Sequence, residues 1–370
     1  MRAYLLVMAL TAAITLGATW VVLKLAHKYK LYLAIRDRDA HTTPTPRLGG
    51  VAMYLGLVVA VAASGLLGWF HGIFVHPEHI IAILVAGGLI TAMGVIDDLY
   101  DLDWFLKLAG QFLVAGLLAW HGVAIVSLPI AGVTIGSFGM SFVVTVFLTV
   151  LVMNAVNFID GLDGLVAGVV LIGTVVFFGY SYLLAQQTSP GDYFNIASLI
   201  SAIVIGMCVG FLPLNWRPAK IFMGDSGALL LGMLMATTAL TVTGQIDPAD
   251  TNSHSLMPAY LPLILPLAIL VLPLLDFSLA VLRRLRAGKS PFSADRKHIH
   301  HKLQDFGHSH LGSVLVFYAW TTVIALSCLL VFFVRLRYVA LFTGFGGALA
   351  MLYTVWPIIR ARKRESGSVN

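Results

Sequence analysis

The chain has 370 residues, of which 59% are hydrophobic and 11% charged, with a formal net charge of +6 and a mean hydropathy of +0.91. That composition excludes an ordinary soluble globule and reads as a polytopic membrane protein. In such a protein the positive charge reports topology rather than nucleic-acid binding. The two cysteines, Cys208 and Cys328, both lie inside apolar runs and suggest neither a disulfide framework nor a thiol motif.

A spanning helix needs about 20 apolar residues. Residues 3–24 form the first such run. It is too long for a signal-peptide core and has no basic leader beyond Arg2, so it reads as a retained helix. Lys24, Lys28, Lys30, Arg36, Arg38 and Arg47 follow it. The positive-inside rule then puts that loop in the cytoplasm and the N-terminus outside. Further spans are expected at about 48–70, 80–96, 105–121, 141–157, 162–184, 196–214, 226–243, 260–282, 311–334 and 339–358. Counting alternately, residues 97–104, 158–161, 215–225, 283–310 and 359–370 fall inside. Of the 23 Lys and Arg residues, only Arg2, Arg335 and Arg337 then lie outside or at the outer boundary. The expected fold is all-α: one integral membrane domain over residues 1–370, about eleven transmembrane helices, N-terminus outside and C-terminus cytoplasmic. Among the outer loops, 122–140 suits a small hairpin, and 185–195 and 244–259 carry turn formers.

The chemistry gathers on the inner face, in loops around 25–47, 97–107, 157–164, 215–226 and 283–310. Thr42 to Gly50 brings hydroxyls, Arg47 and two glycines to a helix start, an arrangement that suits an anion. Asp97, Asp98, Asp101 and Asp103 follow the third span, with Lys107 just beyond. Adjacent carboxylates repel, so they favour a cation or a raised pKa on one member. Mg²⁺ is the natural cation, taking oxygen ligands that it shares with substrate phosphates. Lys107 offers a point charge for phosphate.

Asn154, Asn157, Asp160 and Asp163 sit between two apolar runs, with Gly161 and Gly164. Polar groups in a membrane protein of this kind are expensive and tend to be functional. If the backbone there is helical, each pair three residues apart shares a face. Asn215 to Gly227 offers Arg217 and Lys220 for phosphate. Asp225, among small residues at a span start, reads either as a metal ligand or as a helix cap. The loop 283–310 carries Arg283, Arg284, Arg286, Lys289, Arg296, Lys297 and Lys302 around His298, His300 and His301. The histidines also read as a zinc tract, but the adjacent cations favour a diphosphate. A lipid-headgroup patch is the plainer alternative.

Acids for Mg²⁺, cations for phosphates and a membrane face suggest phosphoryl transfer involving a lipid. Asp97-Asp98-Leu-Tyr-Asp101, Asn157-Phe-Ile-Asp160-Gly-Leu-Asp163-Gly, Phe222-Met-Gly-Asp225-Ser-Gly and His298-Ile-His300-His301 together resemble the motifs of the polyprenyl-phosphate N-acetylhexosamine-1-phosphate transferases. They occur in family order over nearly the whole chain. The pattern is most similar to the bacterial WecA type. Asp101 where the MraY type has Lys, the interrupted His-Ile-His-His order and the basic tail set it apart from MraY, which transfers phospho-N-acetylmuramoyl-pentapeptide.

The resemblance implies a plasma-membrane enzyme with a cytoplasmic active site. It transfers N-acetylglucosamine-1-phosphate from UDP-N-acetylglucosamine to undecaprenyl or decaprenyl phosphate, using Mg²⁺ or Mn²⁺, at the first membrane step of a cell-envelope polysaccharide. It implies Asp225 as principal metal ligand with Asp98, and Asp97 and Asp98 on the lipid-phosphate side with Arg47, Asp98 being the favoured base. Asp160 and Asp163 count among the catalytic acids. Asn157, Asp163 and Asn215 line the nucleotide site, and Lys107, Arg296, His298, His300 and His301 bind the diphosphate. A homodimer is implied, and no nucleic acid. A covalent phospho-aspartate intermediate, another UDP-N-acetylhexosamine and a phospho-N-acetylmuramoyl-pentapeptide donor stay open. Outside the family, the Asp-rich motif also resembles that of intramembrane prenyltransferases, and an ion-coupled transporter is the third class. The Gly-Asp-Ser-Gly and His motifs have no place in the former. The one-sided clustering of charge speaks against the latter.

Overall fold

The computed structural model describes residues 1–31, 45–125, 137–188, 194–243, 264–265, 267–286, 288 and 299–367. All regular structure among them is helical. The helices are α1 (Arg2–Tyr29), α2 (Gly49–Leu66), α3 (His71–Val75), α4 (Glu78–Tyr100), α5 (Trp104–Trp120), α6 (Phe138–Phe158), α7 (Leu165–Thr188), α8 (Ile196–Asn215), α9 (Gly224–Thr243), α10 (Val271–Arg286), α11 (Ile299–Asp305), α12 (His310–Leu330) and α13 (Leu336–Gly367). Among the described residues nine helices are long and apolar enough to cross a membrane, and α5 is apolar but shorter, at 17 residues. The expected span at 260–282 falls partly outside the described residues, and α10 occupies its C-terminal part. The polytopic helical reading therefore holds.

Several boundaries differ from the sequence expectation: α1 runs past residue 24 to Tyr29, and α4 runs past residue 96 to Tyr100, so Asp97 and Asp98 lie in the last turn of that helix and not in a loop. The second span stops at Leu66 instead of residue 70, because Leu67 leaves helical geometry for extended backbone. A short 3₁₀ turn, Gly68–Phe70, and α3 then lead on to α4. The last helix runs through Pro357 to Gly367, well beyond residue 358. Of the suggested hairpin at 122–140, residues 126–136 lie outside the described residues, and α6 begins at Phe138, capped by Ser137.

Helix α9 is the axis of the bundle. It packs against α2, α4, α6, α7 and α8, and every one of its residues is buried except Asp225 and Thr241. Its sequence explains this: Gly, Ala, Leu, Met and Thr cover all sides with no charge beyond Asp225, as a helix surrounded by other helices requires. In lipid, helix association depends on close packing more than on the hydrophobic effect, so small residues mark the tightest crossings. Between α1 and α8 that role falls to Gly206 and Gly210, one turn apart. A Cβ at Gly206 would press on Met8 O and one at Gly210 on Ala12 O.

At the end of the bundle away from the polar motifs, the ring of Tyr4 touches those of Phe70, Phe178, Tyr182 and Phe194. These contacts tie α1 to α7 and to the α2–α4 connection.

Candidate active site

The polar motifs converge because the helices alternate in direction. The C-terminal ends of α4, α6 and α8 meet the N-terminal ends of α2, α5, α7, α9 and α12. Hydrogen bonds join them. Gly49 N–H donates to Phe222 O at 3.0 Å, Gly50 N–H to Met223 O at 3.1 Å, and Phe222 N–H to Pro46 O at 2.8 Å. The expected anion site at the start of α2 is corrected here: carbonyls of the 222–223 segment already satisfy its first two N–H groups.

The acids of the 97–103 stretch do four different jobs. Asp97, only 4% exposed, ion-pairs with Lys107, and its other oxygen accepts the Leu102 N–H at 2.8 Å. Asp98, 6% exposed, reaches across to the start of α9. One of its oxygens accepts the Asp225 N–H at 3.1 Å and the other the Ser226 N–H at 3.3 Å. These are among the N–H groups that a helix start leaves without internal partners. Asp101 closes α4 in the left-handed conformation at φ 55°. Asp103 caps α5 by accepting the Phe105 N–H.

Asp225 follows Gly224, whose φ of +70° suits glycine, and a Cβ there would collide with Arg47 O and with the Asp98 carboxylate. The Asp225 carboxylate receives Lys107 Nζ at 3.3 Å, and the nearby Asn157 amide favours its charge. Lys107 thus sits between Asp97 and Asp225. Among the described residues, no group of three or more His, Cys, Asp or Glu is arranged as a metal cage.

Residues 159–164 form a turn between α6 and α7. Asp160 and Asp163 therefore do not share a helix face, contrary to the helical reading. Asp160 is solvent-accessible at the turn, yet protein crowding, the negative charges of Asp225 and then Asp163 push its carboxyl up to about 7, against the pull of Arg47. Asp163 is 4% exposed and accepts the Ala219 N–H at 3.2 Å. Asn215 accepts the Gly164 N–H and donates to Ile221 O, both at 3.0 Å, joining this turn to the 215–223 loop. Arg217 and Lys220 stand exposed on that loop.

Asn154 departs from its expected role. Its amide pairs with that of Gln111 and donates to Val150 O, so it joins α6 to α5 rather than entering the site. Arg296 and His298 lie outside the described residues, and His300 and His301 lie on α11 with side chains outside the description. Sequence reasoning overlooked His310 and Tyr318, which contact the 159–164 turn. The available signal was a histidine just after Ser309, which is an N-cap residue type, at the start of an apolar run.

The fold and this site define a multi-pass membrane protein with a charged centre of acids and cations at one end of its bundle. A family model described as glycosyl transferase family 4 matches residues 80–243. The decaprenyl-phosphate N-acetylglucosaminephosphotransferase of Mycobacterium leprae is 39% identical over 365 residues, covering 97% of this chain and 91% of that protein. The probable undecaprenyl-phosphate N-acetylglucosaminyl 1-phosphate transferase of Bacillus subtilis is 35% identical, covering 76% of this chain and 72% of its own length. A phospho-N-acetylmuramoyl-pentapeptide-transferase from Acetivibrio thermocellus is 31% identical, with 90% and 96% covered. The chain belongs to the WecA-type polyprenyl-phosphate N-acetylglucosamine-1-phosphate transferase family, as its four motifs led us to expect.

Proposed function

We propose that this chain transfers N-acetylglucosamine-1-phosphate from UDP-N-acetylglucosamine to a polyprenyl phosphate at the cytoplasmic face of the plasma membrane. An oxygen of the lipid phosphate attacks the β-phosphorus of the nucleotide sugar. The bond from that phosphorus to the bridging oxygen breaks, UMP leaves with the electron pair, and polyprenyl-diphospho-N-acetylglucosamine remains. The observation that carries this reading is the meeting of Asp97, Lys107 and Asp225 at the end of the buried axis α9. The names of the relatives support the donor and the acceptor.

Mg²⁺, or Mn²⁺ in its place, fits these residues. Carboxylate oxygens of Asp97 and Asp225 already converge on one cationic nitrogen. Mg²⁺ is commonly held by one or two carboxylates, with waters and substrate phosphates completing its shell. When bound, it supplies neutralising charge to the diphosphate. Asp225 and Asp97 are assigned as its holders. Both oxygens of Asp98 accept helix N–H groups, so it aims Asp225, and the base and metal-ligand roles that the motif implies for it would use the remaining lone pairs of the same oxygens. A general base is hardly needed: the second pKa of a phosphate monoester is about 6, so the acceptor is largely a dianion at neutral pH.

Lys107 and Arg47 are assigned to the phosphates, and the sequence motif adds Arg296, His298, His300 and His301 to that role. Asn157, Asp163 and Asn215 take the nucleotide side. The site draws its power from positioning two anions and neutralising their charge. A homodimer belongs to the same reading, and mass measurement in detergent checks it.

Purified protein with Mg²⁺ and polyprenyl phosphate should be offered labelled UDP-N-acetylglucosamine, UDP-N-acetylgalactosamine and UDP-N-acetylmuramoyl-pentapeptide in separate reactions. Label should enter lipid from the first donor. Preference for another donor would replace the sugar assignment. No lipid product from any of them would overturn the transfer reaction proposed for this chain.

A further inference from the structure

The turn that carries Asp160 and Asp163 has its own bonds from Gly161 N–H to Ile159 O and from Leu165 N–H to Leu162 O, and side chains from elsewhere hold the backbone at Asp163 and Gly164. Asp163 N–H donates to His310 Nε2 at 3.2 Å. Gly164 N–H donates to Asn215 at 3.0 Å. Gly164 O accepts the Tyr318 hydroxyl. Two of these three partners, His310 and Tyr318, lie on α12, far away in sequence.

Both are themselves fixed in place. His310 is the first residue of α12, directly after the cap Ser309, whose hydroxyl accepts the Gly312 N–H. Its ring accepts through Nε2, which requires the neutral tautomer with the proton on Nδ1. Tyr318 lies two turns further along the helix. It reaches Gly164 over Gly168, where a Cβ would collide with its hydroxyl. Gly164 itself has φ +74° and abuts the Trp216 ring. Three features of the chain therefore suit this approach: an imidazole acceptor, a phenol donor and a glycine that makes room.

We infer that His310 and Tyr318 are positioning residues that register the Asp160–Gly164 turn against α12 and so set affinity for the nucleotide sugar. The inference rests on the proposed function for its substrate side. Neither residue is assigned contact with reacting atoms. They act through the turn, on Asp163, whose carboxylate also ties the turn to Ala219. The effect should fall on donor binding and leave the lipid acceptor alone.

The test compares His310→Leu, His310→Gln and Tyr318→Phe with the parent protein in detergent, all confirmed folded by a single size-exclusion peak. Leu removes the acceptor, whereas the Gln side chain carries a carbonyl of similar reach. Hydrogen–deuterium exchange over residues 157–168 reads the turn directly, with no substrate present. Exchange should accelerate in His310→Leu and Tyr318→Phe and stay near the parent rate in His310→Gln. In kinetics, His310→Leu should raise KM for UDP-N-acetylglucosamine about three- to tenfold, as expected for one neutral hydrogen bond. Its kcat and its KM for polyprenyl phosphate should stay within about twofold, and His310→Gln should recover most of the change. Unchanged exchange at the turn in His310→Leu would overturn the inference. So would equal rises in both KM values, or a Gln variant as impaired as Leu. If the parent protein turns over no UDP-N-acetylglucosamine, the functional reading fails, while the exchange measurement still decides whether α12 holds the turn.

Discussion

The carboxylate of Asp98 accepts the backbone N–H of Asp225 at 3.1 Å, across 127 residues of sequence. One acid thereby fixes the helix end from which the other projects. The favourable interaction between a carboxylate and a helix N-terminus reinforces the arrangement.

Replacing that cap tests it. Asp98→Ala should lose about 1–2 kcal/mol of stability, the usual worth of an N-cap, read as a lower melting temperature in detergent. Transfer should fall with it, because Asp225 loses its fixed direction. Asp98→Asn keeps one acceptor oxygen and should melt between the two. A variant that melts like the parent but transfers nothing would instead return Asp98 to direct chemistry.

Lys107 shares its single positive charge between Asp97 and Asp225. Lys107→Gln should therefore melt lower than the parent without Mg²⁺ and gain more from added Mg²⁺, since the ion no longer competes with an ammonium for the same oxygens. A melting titration with MgCl₂ checks this. Equal Mg²⁺ responses in the two proteins would place the ion elsewhere.

The Asp160 carboxyl is raised to about 7, against about 4 in an unfolded chain. The folded state then binds a proton that the unfolded state has lost between those values. The contribution of this group to stability therefore falls as pH rises from about 4 through 7. Asp160→Asn removes this contribution. It should melt higher than the parent at pH 8, with the gap closing by pH 4, in thermal scans at low ionic strength.

Gly224 combines a left-handed φ with contacts from Arg47 O and Asp98. Gly224→Ala should cost more than about 1 kcal/mol from backbone conformation alone, plus the clash, and should lower transfer sharply. Gly288 is also left-handed but meets nothing within 4 Å. Gly288→Ala should therefore cost the conformational part only, and the difference in melting temperature isolates the packing at the site.

Much of this was legible in the sequence, for a physical reason. Apolar runs of membrane length and the one-sided distribution of Lys and Arg leave few topologies open. The helical bundle and the gathering of Asp97, Asp98, Asn157, Asp163, Asn215 and Asp225 at one end follow from alternation. Division of labour among those polar groups was not legible, because it depends on contacts between helices. Asn154 reads like Asn157 from composition, yet the first pairs with Gln111 while the second reaches Asp225. Asp98 and Asp97 are neighbours that meet different parts of Asp225, the first its backbone N–H and the second, through Lys107, its carboxylate. The glycines at 49 and 50 suit an anion by sequence alone, but the 222–223 carbonyls occupy their N–H groups. The role of His310 is not legible in the sequence, because one imidazole beside an apolar run is ordinary until the turn that it holds is placed beside it.

The most direct measurement is Mg²⁺-dependent transfer by the parent protein and by Asp225→Asn. Labelled UDP-N-acetylglucosamine and polyprenyl phosphate are supplied, and lipid label and UMP are followed together. The parent should form lipid-linked sugar and UMP in equal amounts, only with the divalent ion present, and Asp225→Asn should lose at least about a hundredfold in rate, as removal of a key electrostatic group does. Undiminished transfer by Asp225→Asn, or transfer in the presence of excess chelator, would contradict the account.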